Sequence, residues 1–144
     1  MILPDVNVLV YAYRREAAEH ERYAHWLAEA VSTGDGLALA DVVVTAFLRI
    51  VTNPRILADP APMAHALAFV DALREAPRAH HLTPTAATWR QFAELVRSDR
   101  QIRGNLVPDA WLAALARSHG CRLATTDRGF ARFEGLDWFD PIAG

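Results

Sequence analysis

The chain has 144 residues, 52% apolar and 22% charged, with a net charge of −2. That is about one globular domain's worth of chain and leaves no room for a disordered tail. No run approaches the roughly 20 apolar residues of a membrane span, residues 1–13 lack the basic start and cleavage site of a secretory signal, and the lone Cys121 excludes an intramolecular disulfide framework, so the expected location is cytoplasmic. A net negative charge is not the mark of a nonspecific nucleic-acid binder. All fifteen basic residues are arginine, but a codon bias toward Ala and Arg accounts for that, and the count implies nothing about RNA.

Ile2-Leu3 reads as a buried strand, followed directly by Asp5 at the head of a helix from Val6 to Arg15 that is apolar at nearly every position up to Tyr13. Asn7 in that first turn suits a helix-start residue bonding the backbone. Glu16 to Ser32 reads as a second helix with Tyr23, Trp26, Leu27 and Ala30 on one stripe. His20 and His25, five apart, are poorly spaced for a metal. Gly34-Asp35-Gly36 marks a turn and, lacking the continuation of G-x-G-x-x-G, is no phosphate cradle. Leu37 to Ala40 reads as the second strand.

Asp41 to Thr52 reads as a helix with Asp41 as a natural N-cap. After a loop over residues 58–62, Met63 to Glu75 forms a helix with Ala66, Phe69, Val70 and Leu73 on its apolar stripe, stopped by Pro77. Ala79 to Leu82 reads as the third strand, whose adjacent His80 and His81 face opposite ways. Thr85 to Arg97 reads as a helix with Trp89, Phe92 and Val96 packing inward. Residues 98–104 then carry Arg100 and Arg103 into the next helix, as a solvated loop or as a contact for substrate phosphate.

The most informative stretch runs from Asn105 to Phe130. Pro108 suits a first helical turn, where its missing N–H has no partner to lose. Asp109 shares a helical face with Leu112, Ala113 and Ala116, at the rim of a buried stripe. Gly120 is a C-cap, Arg122 to Thr126 a short strand, and Asp127 lies just beyond its end. Phe130 and Phe133 anchor a short helix, and Leu136 to Phe139 makes a final edge strand.

This alternation predicts an α/β fold with a central, mainly parallel sheet of about four or five strands flanked by helices. In such a sheet, helices start at the edge where strands finish, and ligands bind there. Asp5, Asp109 and Asp127 therefore converge. Two unit charges about 5 Å apart at an effective dielectric of about 20 repel by roughly 3 kcal/mol, so either a proton is retained or a cation is held. A hard divalent ion, Mg²⁺ or Mn²⁺, is the more useful answer.

With those residues in view, PDVNVLVYAY, FLRIVTNPR, VPDAWLAALARSHG and LATTDRGFARFEGL resemble a PIN-domain ribonuclease and, more narrowly, the VapC toxins of bacterial toxin–antitoxin pairs. The resemblance covers nearly the whole chain, with the blocks in the family's order. It implies a single PIN-like domain over residues 1–144 that cleaves RNA with Mg²⁺ and blocks translation. It also implies a homodimer and a cognate VapB-type antitoxin that masks the acidic pocket. Asp5, Asp109 and Asp127 then hold the metal, with Asn7 and Thr126 as candidates to orient the acids or a water. The family normally places a glutamate just ahead of the run that is Phe47-Leu48-Arg49 here, and the matching residue is Ala46. That leaves a site of three acids, a compensating Asp41, or a catalytically weak protein; three acids suffice for an ion that keeps several waters.

Other chemistries fit less well. An aspartyl-phosphate phosphatase wants a second acid where Asn7 stands, a receiver domain wants a lysine, and a serine hydrolase of the elbow type wants a G-x-S-x-G. The main alternative is a PIN-like module that binds RNA or a partner without cutting, a reading that Ala46 keeps open.

Overall fold

A computed structural model of the chain describes residues 1–143. Its strands are β1 (Ile2–Pro4), β2 (Ala38–Ala40), β3 (His80–Leu82), β4 (Arg122–Ala124) and β5 (Trp138–Phe139), and its helices α1 (Val6–Tyr13), α2 (His20–Ser32), α3 (Asp41–Val51), α4 (Met63–Glu75), α5 (Ala86–Ser98) and α6 (Leu106–Ser118). The order β1-β4-β5 makes one sheet and β2-β3 another. A single parallel bridge between Ile2 and Leu37 aligns them as β3-β2-β1-β4-β5, with every pairing parallel. This is the mainly parallel sheet the alternation of elements predicts.

The strands are short, and the three central ones sit deep in the molecule: Leu3, Ala38, Leu39, Ala40, Leu123 and Ala124 are all buried, as expected of parallel strands covered by helices. Helix α1 packs between α2 and α3 and buries Val8, Leu9, Val10 and Ala12. Helix α6 buries Ala110 and the run from Leu112 to Ala116, mostly small residues that let its backbone lie close to its neighbours. Gly120, at φ +66, ends α6 in the left-handed conformation that costs glycine least. There the Cys121 N–H reaches back to the Ala116 carbonyl at 2.9 Å and the Gly120 N–H to the Arg117 carbonyl at 3.2 Å, a Schellman-like closure that feeds the chain straight into β4.

Three local expectations need correction. Helix α2 starts at His20 because Glu19 takes a left-handed φ of 62°, and the preceding turn is held by the 2.7 Å Arg14–Glu16 ion pair. Asp41 is not an N-cap: Ala40, the last residue of β2, holds that position without a side-chain bond, and Asp41 is already helical. Trp89 does not pack inward; it is 61% exposed, whereas Thr88 is fully buried. The Thr88 hydroxyl closes a capping box with Thr85 and meets the Ser118 hydroxyl of α6 at 2.7 Å. Those bonds put Thr88 on the buried face and leave Trp89 against Phe92 and Trp111, while Phe92 and Val96 pack partly against the core as expected.

Candidate functional site

Asp5 is fixed by the parallel ladder. Its backbone N–H donates to the Ala124 carbonyl at 2.8 Å, extending the β1–β4 pairing by one residue, and it caps α1 by accepting from the Val6 N–H at 2.7 Å. Its other carboxylate oxygen accepts from the Thr125 hydroxyl at 2.7 Å. Burial raises the Asp5 carboxyl above its ordinary range; the bonds from Thr125 and Val6 pull the other way, and the charge of Asp127 adds to the rise.

Thr125 is fully buried. Its N–H donates to the Phe139 carbonyl of β5 at 3.0 Å, and its hydroxyl, besides donating to Asp5, accepts from the Asp127 N–H at 3.1 Å. One hydroxyl thus ties a carboxylate on the β1 side to the backbone of the acid that follows β4. Thr126 is the helper expected from sequence, yet among the described residues it makes no side-chain hydrogen bond to an acid. What distinguishes the two is the ladder: the Thr125 N–H bond to Phe139 continues the β4–β5 pairing by one residue, whereas Thr126 lies in the bend beyond it.

Asp109 lies half-buried in the first turn of α6. Burial, reinforced by the charges of Asp5 and Asp127, pushes its carboxyl up to about 6. Asp127 is exposed and caps the 3₁₀ turn Arg128–Arg132 by accepting from the Gly129 N–H at 2.7 Å. A Cβ on Gly129 would stand 2.9 Å from that carboxylate oxygen, so the close approach favours glycine. The three acids thus come from the ends of β1 and β4 and the start of α6, and the charges of Asp5 and Asp127 both reach Asp109.

Among the described residues no group of three or more His, Cys, Asp or Glu side chains is gathered tightly enough to enclose an ion. The acids stand at coulombic range, with Asp5 and Asp127 both engaged in hydrogen bonds that fix their directions. The donor set still fits a hard cation, since it consists only of carboxylate oxygens whose charges oppose one another, and Mg²⁺ retains waters in place of missing protein ligands.

Asn7 is exposed in the first turn of α1 and makes no side-chain hydrogen bond among the described residues; the capping role falls to Asp5. Asp41, with its side chain 87% exposed, pairs with Arg74 at 3.5 Å and is not among the charges that raise Asp5 or Asp109. Ala46 sits half-buried in α3, where a methyl group offers no ligand. A cleft of about 610 Å³ opens at the far end of α1 around Arg14, Arg15, His20 and His65. It touches none of the three acids; charge and hydrogen bonding mark this site.

The chain is similar to known proteins along nearly its whole length. The PIN domain matches residues 2–136. Over 144 residues the chain is 41% identical to VapC ribonuclease Mb2897 of Mycobacterium bovis, covering 100% of this chain and 97% of that one. It is 37% identical over 143 residues to Ribonuclease VapC25 of Mycobacterium tuberculosis, covering 98% and 99%. The solved structure of VapBC2 from Rickettsia felis bound to a promoter DNA fragment superposes with a TM-score of 0.71 over 97% of this chain and 98% of that chain, at 19% identity, which is a likeness of fold.

Proposed function

The chain belongs to the PIN-domain family and, within it, to the VapC ribonucleases, and from that premise we propose that it is a divalent-metal-dependent endoribonuclease, the toxin of a VapB–VapC pair. The observation that carries this reading is the coupling of Asp5, Asp109 and Asp127 at one edge of the sheet, which together with burial lifts Asp109 to about 6. Such repulsion has a use when a cation relieves it.

In this reading Asp5, Asp109 and Asp127 hold Mg²⁺ or Mn²⁺. The bound ion would polarise the phosphodiester and lower the pKa of the attacking water. Thr125 keeps the Asp5 oxygen aimed at the edge and fixes where the Asp127 backbone begins its turn. Gly129 holds the Asp127 carboxylate through its N–H. Asp109, which carries its proton into the mildly acidic range, must release it before the set is complete. Asn7, whose side chain makes no hydrogen bond among the described residues, is available to orient a water at the same edge.

The same membership supports the wider role we propose: a single domain over residues 1–144 that acts in the cytoplasm, cleaves RNA to inhibit translation, forms a homodimer and is masked by a VapB-type antitoxin. Among the described residues no helix is long and apolar enough to cross a membrane. Exposed Met63 and Leu67, four apart on α4, leave apolar surface for a protein partner.

Ala46 supports a second reading, a PIN-like module that binds RNA or a partner without cutting it. Cleavage assays separate the two. The nuclease reading expects Mg²⁺-dependent cleavage that Asp5→Asn or Asp109→Asn abolishes, with relief of growth arrest on expression. Equal cleavage by wild type and variants would remove these acids from the mechanism; intact RNA with either metal, alongside retained partner binding, would favour the second reading.

A further inference from the structure

Whereas the net charge is −2, the arginines around the acidic edge are unevenly used. Arg132, at the end of the 3₁₀ turn that follows Asp127, faces Asp99 at 3.4 Å and donates to the Gln101 side-chain carbonyl at 2.7 Å. Both partners lie in the loop between α5 and α6. Within that loop the Gln101 N–H donates to the Asp99 carboxylate at 2.9 Å, and Ile102 is buried. The Arg103 carbonyl receives the Leu106 N–H at 3.2 Å, which joins the loop to the start of α6, one turn before Asp109. The loop is therefore pinned at both ends to segments that carry acids.

Arg100 and Arg103 of this loop, and Arg128 directly after Asp127, are exposed. Among the described residues none of them makes an ion pair or a side-chain hydrogen bond, and none acts on the charge of Asp5 or Asp109. They are not there to neutralise the acids. Exposed guanidinium groups without a protein partner, on segments tied to those that carry the acids, are free to take phosphate oxygens bidentately.

Resting on the nuclease reading, we infer that Arg100, Arg103 and Arg128 form a phosphate-binding rim, with Arg132 as its positioning residue, that grips the RNA backbone on either side of the bond to be cut. The rim supplies locally the attraction that the negative whole lacks, and it reads no base. Its contribution is to binding and register rather than to the chemical step.

The test uses full-length Asp109→Asn protein, expected on the nuclease reading to hold RNA without cutting it, and a short fluorescein-labelled single-stranded RNA of mixed sequence, titrated at several salt concentrations. Each arginine–phosphate pairing removed should make the slope of log K against log salt shallower by about 0.7, so the slope for Arg100→Ala/Arg103→Ala/Arg128→Ala should be shallower by about 2. Arg15→Ala is the control. It removes an arginine beyond the far end of α1, on the wall of the large cleft and about 12 Å of helix from Asp5, and should leave the slope unchanged. Arg132→Gln should weaken binding with no more than a partial change of slope, because it frees the loop without removing a phosphate partner.

In the cleaving background the triple variant should raise KM by about tenfold or more with kcat held within about threefold. An unchanged slope in the triple variant, an equal effect of Arg15→Ala, or no RNA binding at low salt would each overturn the rim. Rim-dependent binding without cleavage by the parent protein would instead sink the nuclease reading and leave the rim standing.

Discussion

The Thr125 hydroxyl donates to Asp5 at 2.7 Å across 120 residues of sequence while accepting from the Asp127 N–H. Its proton and a lone pair are both spent on the acidic edge. Thr125→Val keeps the shape and leaves Asp5 and the Asp127 N–H each short of a partner, a loss of about 1–3 kcal/mol. Denaturant melts should show it, and Mn²⁺ affinity should fall with it. Thr125→Ser, which keeps the hydroxyl, should recover most of both; recovery of neither would mean that the methyl group, not the hydroxyl, matters.

Gly129→Ala puts a methyl group 2.9 Å from the Asp127 carboxylate oxygen, and the carboxylate must swing away from the Gly129 N–H. Cleavage and metal affinity should drop by about 10- to 100-fold, as when a support of a ligand is lost. The melting temperature should change little, because the residue is exposed. Unaltered cleavage would show that Asp127 acts from another direction or not at all.

Burial and the charges of Asp5 and Asp127 raise Asp109 to about 6 from an ordinary 3.8, and Asp5 shifts in the same direction. The folded state thus binds more protons than the unfolded chain between those values, so metal-free stability should fall as pH rises from about 4 through 6. Asp109→Asn should flatten that slope. Metal competes with the proton, so Mn²⁺ affinity should weaken as pH drops below about 6. Melting curves across this range in EDTA and in Mn²⁺ give both signs; a metal-free protein that gains stability from about pH 4 to 6 would contradict the coupling.

Asp41→Asn tests whether that acid stands in for the glutamate that Ala46 replaces. Its carboxylate is solvated, pairs with Arg74 and does not act on Asp5 or Asp109. Cleavage should stay within about twofold and stability within about 0.5 kcal/mol, as for an exposed ion pair. A loss of cleavage of about a hundredfold would move Asp41 into the site.

Much of this architecture is written in local pattern. Met63–Glu75 is α4 to the residue, because an apolar stripe runs its length and a proline follows. The three acids are found by topology alone, since a parallel strand must end where the next helix begins. What pattern misses is decided between elements. Thr88 is polar by type yet wholly buried because Thr85 and Ser118, the latter thirty residues away, satisfy its hydroxyl, and Trp89 is expelled as a result. Sequence points to Thr126, but it is the hydroxyl of Thr125, where the ladder is continued to Phe139, that bonds Asp5 and the Asp127 N–H. A polar residue before an apolar run ordinarily caps a helix, yet Asp41 does not, because β2 runs into α3 without the intervening residue a cap needs.

The proposed cation site is most directly examined by titrating Mn²⁺ into metal-free wild-type protein and into Asp5→Asn, Asp109→Asn and Asp127→Asn, with bound metal read by calorimetry or electron paramagnetic resonance. Saturable binding in the wild type that weakens by at least about tenfold in every variant is the expected result. A wild type that takes up no Mn²⁺, or variants that take it up equally well, would mean that these carboxylates gather at the sheet edge for some purpose other than holding a metal.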